Sequence, residues 1–166
     1  MPALAASPID TPLAWRMAGV AFATGFIVFG VVYSFSVFLE PLMAEFGASR
    51  SATAALYAIA SSAFYFLGPA TGSVSDRLGP QALTGLGALL MGGGLAATAF
   101  VTDLSVAYVT YGLGVGVGAA CAYIPTFAVL GGWFDRWRTR ALSIAAAGTG
   151  VGMLVLPPLC AVIIEN

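Results

Sequence analysis

Five long apolar runs, hardly interrupted by charge, make up most of this 166-residue sequence. Each run has about the 20 residues that an α-helix needs to cross a hydrocarbon core roughly 30 Å thick. Helices are expected rather than strands, because lipid offers no partner to the unpaired backbone groups of an isolated strand. The predicted spans are approximately 17–39, 52–74, 81–101, 104–130 and 141–164.

Composition excludes a water-soluble domain. Charged residues make up 8% of the chain and hydrophobic ones 60%, against about 25% and 45–50% in soluble domains. The net charge of −1 gives no reason to expect a nucleic-acid partner. With no His, and no carboxylate in the middle of an apolar run, we expect no enzyme, metal site or cofactor. Cys121 and Cys160 lie inside apolar runs, where a thiol behaves as a small hydrophobic group.

The arginines predict the orientation, since positive charge is retained on the cytoplasmic side of membranes. One side holds Arg16, Arg77, Arg136, Arg138 and Arg140, whereas the other holds Arg50 together with Glu40, Glu45, Asp103 and Glu165. The N-terminus is therefore expected to be cytoplasmic. We divide the chain into a cytoplasmic tail at 1–16 and a five-helix transmembrane segment at 17–166, in the cell or inner membrane and surrounded by lipid.

Residues typical of helix termini predict where the helices begin and end. Glu40 with Pro41 is expected to end the first helix, Ser49 or Ser51 to cap the second, and Asp103 with Ser105 to form a short turn. Small residues recur at four-residue spacing, which lets helix backbones approach closely in lipid. These residues are Gly112, Gly114, Gly116 and Gly118 in the fourth span and Gly148 and Gly152 in the fifth.

The most specific motif follows the second span, in the sequence Gly-Ser-Val-Ser-Asp-Arg-Leu-Gly at 72–79. Gly72 stands four residues before the pair Asp76 and Arg77, and Gly79 stands three residues after Asp76. This arrangement resembles the signature loop of the major facilitator superfamily of secondary transporters. Pro80 and Gln81 stand where that pattern continues with two basic residues.

A second motif resembles particular branches of that superfamily. Trp133 and Phe134 precede the basic loop of Arg136, Arg138 and Arg140, and a Gly-rich helix follows at 147–152. The pattern is similar to the monocarboxylate-transporter and oxalate/formate-exchanger branches. Trp137 stands where those families often have a basic residue, and no Lys occurs where some monocarboxylate carriers use one in the first span. The basic loop has an alternative interpretation, because its arginines also suit anionic lipid headgroups.

The resemblance implies an all-α membrane fold, in which these five helices are the N-terminal part of an incomplete six-helix half. It implies a secondary transporter that moves a small solute, carboxylate-bearing or not, by alternating access. The motif at Gly72, Asp76, Arg77 and Gly79 would be a conformational latch between the two halves. The missing C-terminal half would be the partner of this chain, so the chain is expected to be a fragment that does not transport by itself.

The same resemblance places the first, second, fourth and fifth spans around the solute route. Hydroxyl-bearing residues on those spans are the candidates to line the cavity, namely Tyr33, Ser36, Tyr57, Ser61, Tyr65, Tyr111, Tyr123, Thr126 and Thr149. For each of them the alternative is a hydroxyl bonded back to its own helix or to a neighbouring helix. For the whole chain the alternative is a non-transporting structural or assembly protein of five packed helices.

Overall fold

The structure, a computed structural model, describes residues 9–165. All regular secondary structure in those residues is helical. The helices are α1 (Pro12–Phe46), α2 (Arg50–Leu78), α3 (Pro80–Thr98), α4 (Leu104–Leu130) and α5 (Arg138–Glu165). The domain division stays a prediction: α1 begins within the expected tail, and residues 1–8 of that tail lie outside the described residues.

Four of these helices, α1, α2, α4 and α5, are long and apolar enough to cross a membrane. Helix α3 is not among them, because its five glycines lower its mean hydropathy. At 1.5 Å per residue it is still about 28 Å long, close to the thickness of a hydrocarbon core. The chain thus forms an all-α, multi-pass membrane fold.

Two of the predicted helix ends are confirmed. Ser49 caps α2 by accepting a hydrogen bond from the backbone N–H of Ala52 at 3.3 Å. Asp103 opens α4 by accepting one from the N–H of Ser105 at 2.7 Å. Gly47 and Gly79 end α1 and α2 with φ of +56° and +85°, a backbone conformation that favours glycine.

The predicted end of α1 at Glu40 and Pro41 is wrong. Helix α1 continues through Pro41 to Phe46. Proline costs a helix one backbone hydrogen bond, but Glu40 and Pro41 are exposed beside the charged end of the bundle. Water at that level can satisfy the freed carbonyl group, so the helix is not forced to stop.

The motif at 72–79 is also not the loop that the sequence predicts. Gly72, Asp76 and Arg77 all lie in the last turns of α2, and the connection to α3 is Gly79 alone. A positive φ at Gly79, followed by Pro80 in the first turn of α3, makes so short a connection possible.

The glycines of α4 pack against two neighbouring helices, as their interleaved spacing predicts. Methyl groups at Gly112 and Gly116 would meet Ile59 and Ala60 of α2. On the other side, Gly114 and Gly118 face the backbone of α3. Each pair is four residues apart, so one helix contacts two partners at backbone distance.

Helices α1 and α5 make the other close contact. Methyl groups at Gly148 and Gly152 would overlap the carbonyl oxygens of Phe22 and Phe26. Between these two glycines, Gly150 points into open space. Small residues on one face of α5 therefore set the distance between the two helices.

Helix α4 contains a π-helical segment, Tyr108–Val115. A π turn closes its hydrogen bonds over five residues instead of four, which changes the rotational phase of the residues after it. At its start, the hydroxyl of Tyr108 donates to the carbonyl oxygen of Ala52 at 2.8 Å and ties α4 to the beginning of α2.

Asp10 attaches the segment before α1 to the connection between α4 and α5. Its N–H donates to the carbonyl oxygen of Trp133 at 3.1 Å, and its Oδ2 accepts from the N–H of Arg136 at 3.1 Å. Asp10 has φ of +58°, a conformation that Asp tolerates better than most residues. Nothing in the sequence indicated this contact.

We predict that Gly148→Ala destabilises the bundle by about 1–3 kcal/mol, because the added methyl group forces α1 and α5 apart. The matched control is Gly150→Ala, which has the same helix propensity change and an open environment. Thermal unfolding in detergent micelles measures both. Equal midpoints for the two variants would show that backbone contact at Gly148 is not what holds α5 to α1.

We also predict that Asp10→Ala lowers the protection of the Arg136 amide against hydrogen exchange by about fivefold, the value of a hydrogen bond of about 1 kcal/mol. Asp10→Asn serves as the control, because its amide oxygen can still accept and Asn suits a positive φ. Exchange measured by mass spectrometry on the purified chain distinguishes the two. An unchanged rate in the alanine variant would contradict the assignment.

Candidate functional site

A cleft of about 40 Å³ opens between α1 and α2 above a floor formed by α4. The floor consists of small residues, including Gly116 and Ala119, and the walls carry most of the side chains with rings or hydroxyl groups. The lining residues are Val28, Phe29, Val32, Tyr33, Tyr57, Ala60, Ser61, Phe64, Tyr65, Gly116 and Ala119.

The three predicted cavity residues of α2 lie in this cleft. Tyr57, Ser61 and Tyr65 are spaced four residues apart, so all three project from the same face of the helix. Tyr33 reaches them from α1, with its ring centroid 6.5 Å from that of Tyr57 and the two rings nearly perpendicular. The structure therefore brings four of the predicted cavity residues together.

Phe29 and Phe64 complete the aromatic wall. They were not predicted, because the candidates were chosen for their hydroxyl groups. Phe29 packs edge-to-face on Phe64 at 5.9 Å, and Phe64 packs in the same way on Tyr65 at 5.2 Å. The spacing contained the signal, because Phe29 stands four residues before Tyr33 and Phe64 seven residues after Tyr57. Both positions share a helical face with a residue already selected.

Tyr123 adjoins this wall without lining the cleft. Its ring lies 4.9 Å from Phe29 and 4.3 Å from Phe127, so it supports the aromatic wall from α4. Tyr111 lies elsewhere, in the core between α1 and α4, where it is buried 5.2 Å from the ring of Phe35.

The remaining three candidates face other helices or their own backbone. The hydroxyl of Ser36 donates to the carbonyl oxygen of Tyr33 at 3.0 Å. Thr126 donates to the carbonyl oxygen of Ala122 at 2.8 Å and lies 3.1 Å from the hydroxyl of Thr84 on α3. Thr149 lies in the contact between α5 and α1, where a methyl group at Gly25 would come within 2.9 Å of its hydroxyl oxygen.

The cleft carries no formal charge. Each of its lining residues is aliphatic, aromatic, small or a hydroxyl-bearing residue. Its walls can therefore hydrogen-bond through three tyrosines and one serine, and can stack through their rings, but cannot neutralise an ion.

The arginines of the basic loop lie at one end of the bundle. Arg136 precedes Trp137 in the sequence and Arg140 follows it. Their guanidinium carbons lie 5.1 and 4.6 Å from the centroid of the Trp137 ring. Arg138 begins α5 and folds toward Gly131 at the end of α4, where an added methyl group would lie 3.1 Å from its guanidinium. The indole of Trp137 thus holds two of the three guanidinium groups in place.

The last turn of α2 reaches this same end. Leu78, Gly79 and Pro80 share a cavity with Met17 and Trp133, which places them beside the start of α1 and the end of α4. Asp76 and Arg77 are exposed there. The positive charge of Arg77 suits the negative end of the helix dipole.

Comparison with known proteins gives a family and a set of named relatives. The family model described as Major Facilitator Superfamily matches residues 21–166. Monocarboxylate transporter 12 of Rattus norvegicus is 31% identical over 97% of this chain and 33% of its own length. Monocarboxylate transporter 13 of Rattus norvegicus is 30% identical over 96% and 37%, and monocarboxylate transporter 3 of Mus musculus is 32% identical over 95% and 32%.

The chain spans about a third of the length of these curated relatives. The match nevertheless includes most of α1 and all of the later described helices, with both motifs and the aromatic cleft. The chain therefore belongs to the Major Facilitator Superfamily.

Proposed function

We propose that this chain supplies one side of a secondary transporter that moves a small solute across the membrane by alternating access. The observation that carries the proposal is the aromatic cleft between α1 and α2 in a chain of this family. Tyr33, Tyr57, Ser61 and Tyr65 would contact the solute. The named relatives are monocarboxylate transporters, which makes a monocarboxylate the first solute to test.

The size of the cleft supports a second helical unit on its other side. About 40 Å³ is room for little more than ordered water, whereas sites for small organic ligands generally enclose about 300 Å³ or more. Transporters of this kind bind solute near the middle of the membrane, between two repeats that rock against each other. We propose that the missing C-terminal half is that unit, and that it carries the positive charge that a carboxylate needs.

The motif on α2 would act as the latch between the two units. Within the described residues nothing lies within 4 Å of the position where a side chain at Gly72 would begin. Asp76 and Arg77 are exposed on the same helix end. An open surface next to an exposed pair of opposite charges suits a contact that forms in one state of the transport cycle and breaks in the other.

We propose that the end of the bundle that holds these arginines faces the cytoplasm, in the cell membrane. Arg16, Arg77, Arg136, Arg138 and Arg140 are all at this end, where positive charge is retained during insertion. Their guanidinium groups would also contact anionic lipid headgroups.

We predict that a chimera in which this chain replaces the aligned third of rat monocarboxylate transporter 12 takes up labelled pyruvate above the background of empty proteoliposomes. The purified chain alone should give no uptake, because its cleft is only one wall of a site. Replacing Tyr57 by Ala in the chimera should lower uptake at least tenfold, while the amount of protein incorporated into the liposomes stays the same.

Membrane insertion and thermal stability of the chimera are the controls. A chimera that inserts and unfolds cooperatively but takes up no pyruvate, lactate or other small monocarboxylate would contradict the proposed solute class. Uptake by the purified chain alone would contradict the need for a second unit.

A further inference from the structure

A larger cavity lies outside the aromatic cleft, at the end of the bundle that carries the arginines. It measures about 650 Å³ and is lined by the first turns of α1 and α3 and by the last turns of α2 and α4. We propose that this cavity binds an anionic phospholipid, with one acyl chain between the helices and the phosphate on arginines at the rim. The proposal concerns a bound lipid and does not depend on which solute the protein moves.

The lining of this cavity suits a hydrocarbon chain. Met17 of α1, Leu78 of α2 and Val129 of α4 all contribute aliphatic side chains, and none of the lining residues is charged. The hydroxyl oxygens of two of its polar residues, Thr84 and Thr126, lie 3.1 Å apart and bond to each other. An empty apolar space forfeits van der Waals contacts on one side, so a chain that fills it restores them.

The space continues between α1 and α3 toward the middle of the bundle. A neighbouring cavity of about 210 Å³ is lined by Thr24, Ile27 and Val31 of α1, and Thr84 lines both cavities. From Met17 to Val31 the helix rises about 21 Å, whereas the hydrocarbon of one leaflet is about 15 Å thick. Together the two cavities form a groove that is long enough for an acyl chain entering from the rim.

Glycines of α3 keep this groove open. Within the described residues, nothing lies within 4 Å of the position where a side chain would begin at Gly85, in the larger cavity, or at Gly92, in the smaller one. By contrast, Gly87 and Gly94 pack against the backbone of α4. A glycine inside a helix costs about 1 kcal/mol relative to alanine. At Gly85 and Gly92 no contact with another described helix offsets that cost, whereas a chain lying against the bare backbone would.

Arg16 and Arg77 stand at the rim of the groove. They directly precede two residues that line it, Met17 and Leu78, and both arginines are exposed. A guanidinium group suits a phosphate, because it can hold the phosphate through two parallel hydrogen bonds. Trp133 also lines the cavity, and indole rings favour the level of the headgroups. Basic pockets between transmembrane helices bind anionic headgroups in this way.

The charges at the two ends of the bundle favour an anionic lipid at this end. The arginine end holds five arginines and three carboxylates, an excess of two positive charges. The opposite end holds Arg50 and four carboxylates, an excess of three negative charges. An anionic headgroup is therefore attracted to the first end and repelled from the second, whereas a headgroup without net charge gains little at either.

The experiment titrates two lipids with identical acyl chains, dioleoylphosphatidylglycerol and dioleoylphosphatidylcholine, into the purified, delipidated chain in detergent micelles. Native mass spectrometry measures the fraction of protein with lipid bound. We expect phosphatidylglycerol to bind at least tenfold more tightly, since each rim arginine favours the anionic lipid. Glycerophosphoglycerol, the same headgroup without acyl chains, should not displace the bound lipid, which distinguishes a lipid site from a site for a free phosphate ester.

Substitutions of the arginines test the headgroup contact. Arg16→Gln and Arg77→Gln should each weaken the binding of phosphatidylglycerol about fivefold and leave that of phosphatidylcholine unchanged. The matched control is Arg50→Gln, which removes an exposed arginine at the opposite end and should change neither affinity.

A substitution in α3 tests the groove. Gly85→Leu places a side chain in the larger cavity and should weaken the binding of both lipids at least fivefold. The matched control is Gly93→Leu, in the same helix, which also has an open environment but lines neither cavity. Both variants replace glycine by a better helix former without a clash, so both should fold.

Equal affinities for the two lipids, displacement by glycerophosphoglycerol, or equal losses in the Gly85 and Gly93 variants would overturn the proposal. The chimera with rat monocarboxylate transporter 12 adds the helices that follow the aligned third of that relative, and bound phosphatidylglycerol should persist in it. Loss of the lipid from a folded chimera would show that another helix fills the groove, and would overturn the proposal as well.

Discussion

The whole bundle depends on close approach of helix backbones. In lipid, apolar side chains gain nothing by leaving their surroundings for a neighbouring helix, so contact must come from tight packing. Helix α4 achieves this on two sides, toward α2 through Gly112 and Gly116 and toward α3 through Gly114 and Gly118. The contact between α5 and α1 follows the same rule. These contacts fix the positions of the helices that carry the rings and hydroxyl groups of the cleft.

The cleft itself follows from this packing. Helices α1 and α2 touch each other little, since each is held mainly by another helix, α1 by α5 and α2 by α4. The space between them is closed at the bottom by Gly116 and Ala119, and it is filled partly by Phe29, Phe64 and Tyr57. Bulky rings can occupy this position because nothing requires α1 and α2 to come closer. The floor of the cleft belongs to the packed core, because Gly116 and Ala119 both pack the bundle and line the cleft, whereas Tyr33 and Tyr65 in its walls are exposed.

Features that depend on a few neighbouring residues could be predicted from the sequence. The cap at Ser49 and the turn at Asp103 follow from side chains that bond the next free N–H groups. Tyr57, Ser61 and Tyr65 share a face in any regular helix. Tyr111 is different, because it lies inside the π-helical segment, where the residues per turn change and spacing no longer tells which neighbour a side chain faces. The prediction that α1 ends at Pro41 was wrong, because the stability that a helix loses at a proline depends on whether water reaches the freed carbonyl group. The sequence does not show that.

The aromatic cleft and the charged residues lie in different parts of the bundle. The cleft offers rings and hydroxyl groups, but none of its lining residues carries a positive charge. Asp76 and Arg77 are exposed in the last turn of α2, at the end of the bundle and outside the cleft. A carboxylate that leaves water needs a cation in direct contact, so under the proposed function the positive charge would come from helices that face this chain. The hydroxyl groups of the cleft and that positive charge would then lie on opposite walls, and a solute could contact both only while the two walls are close together.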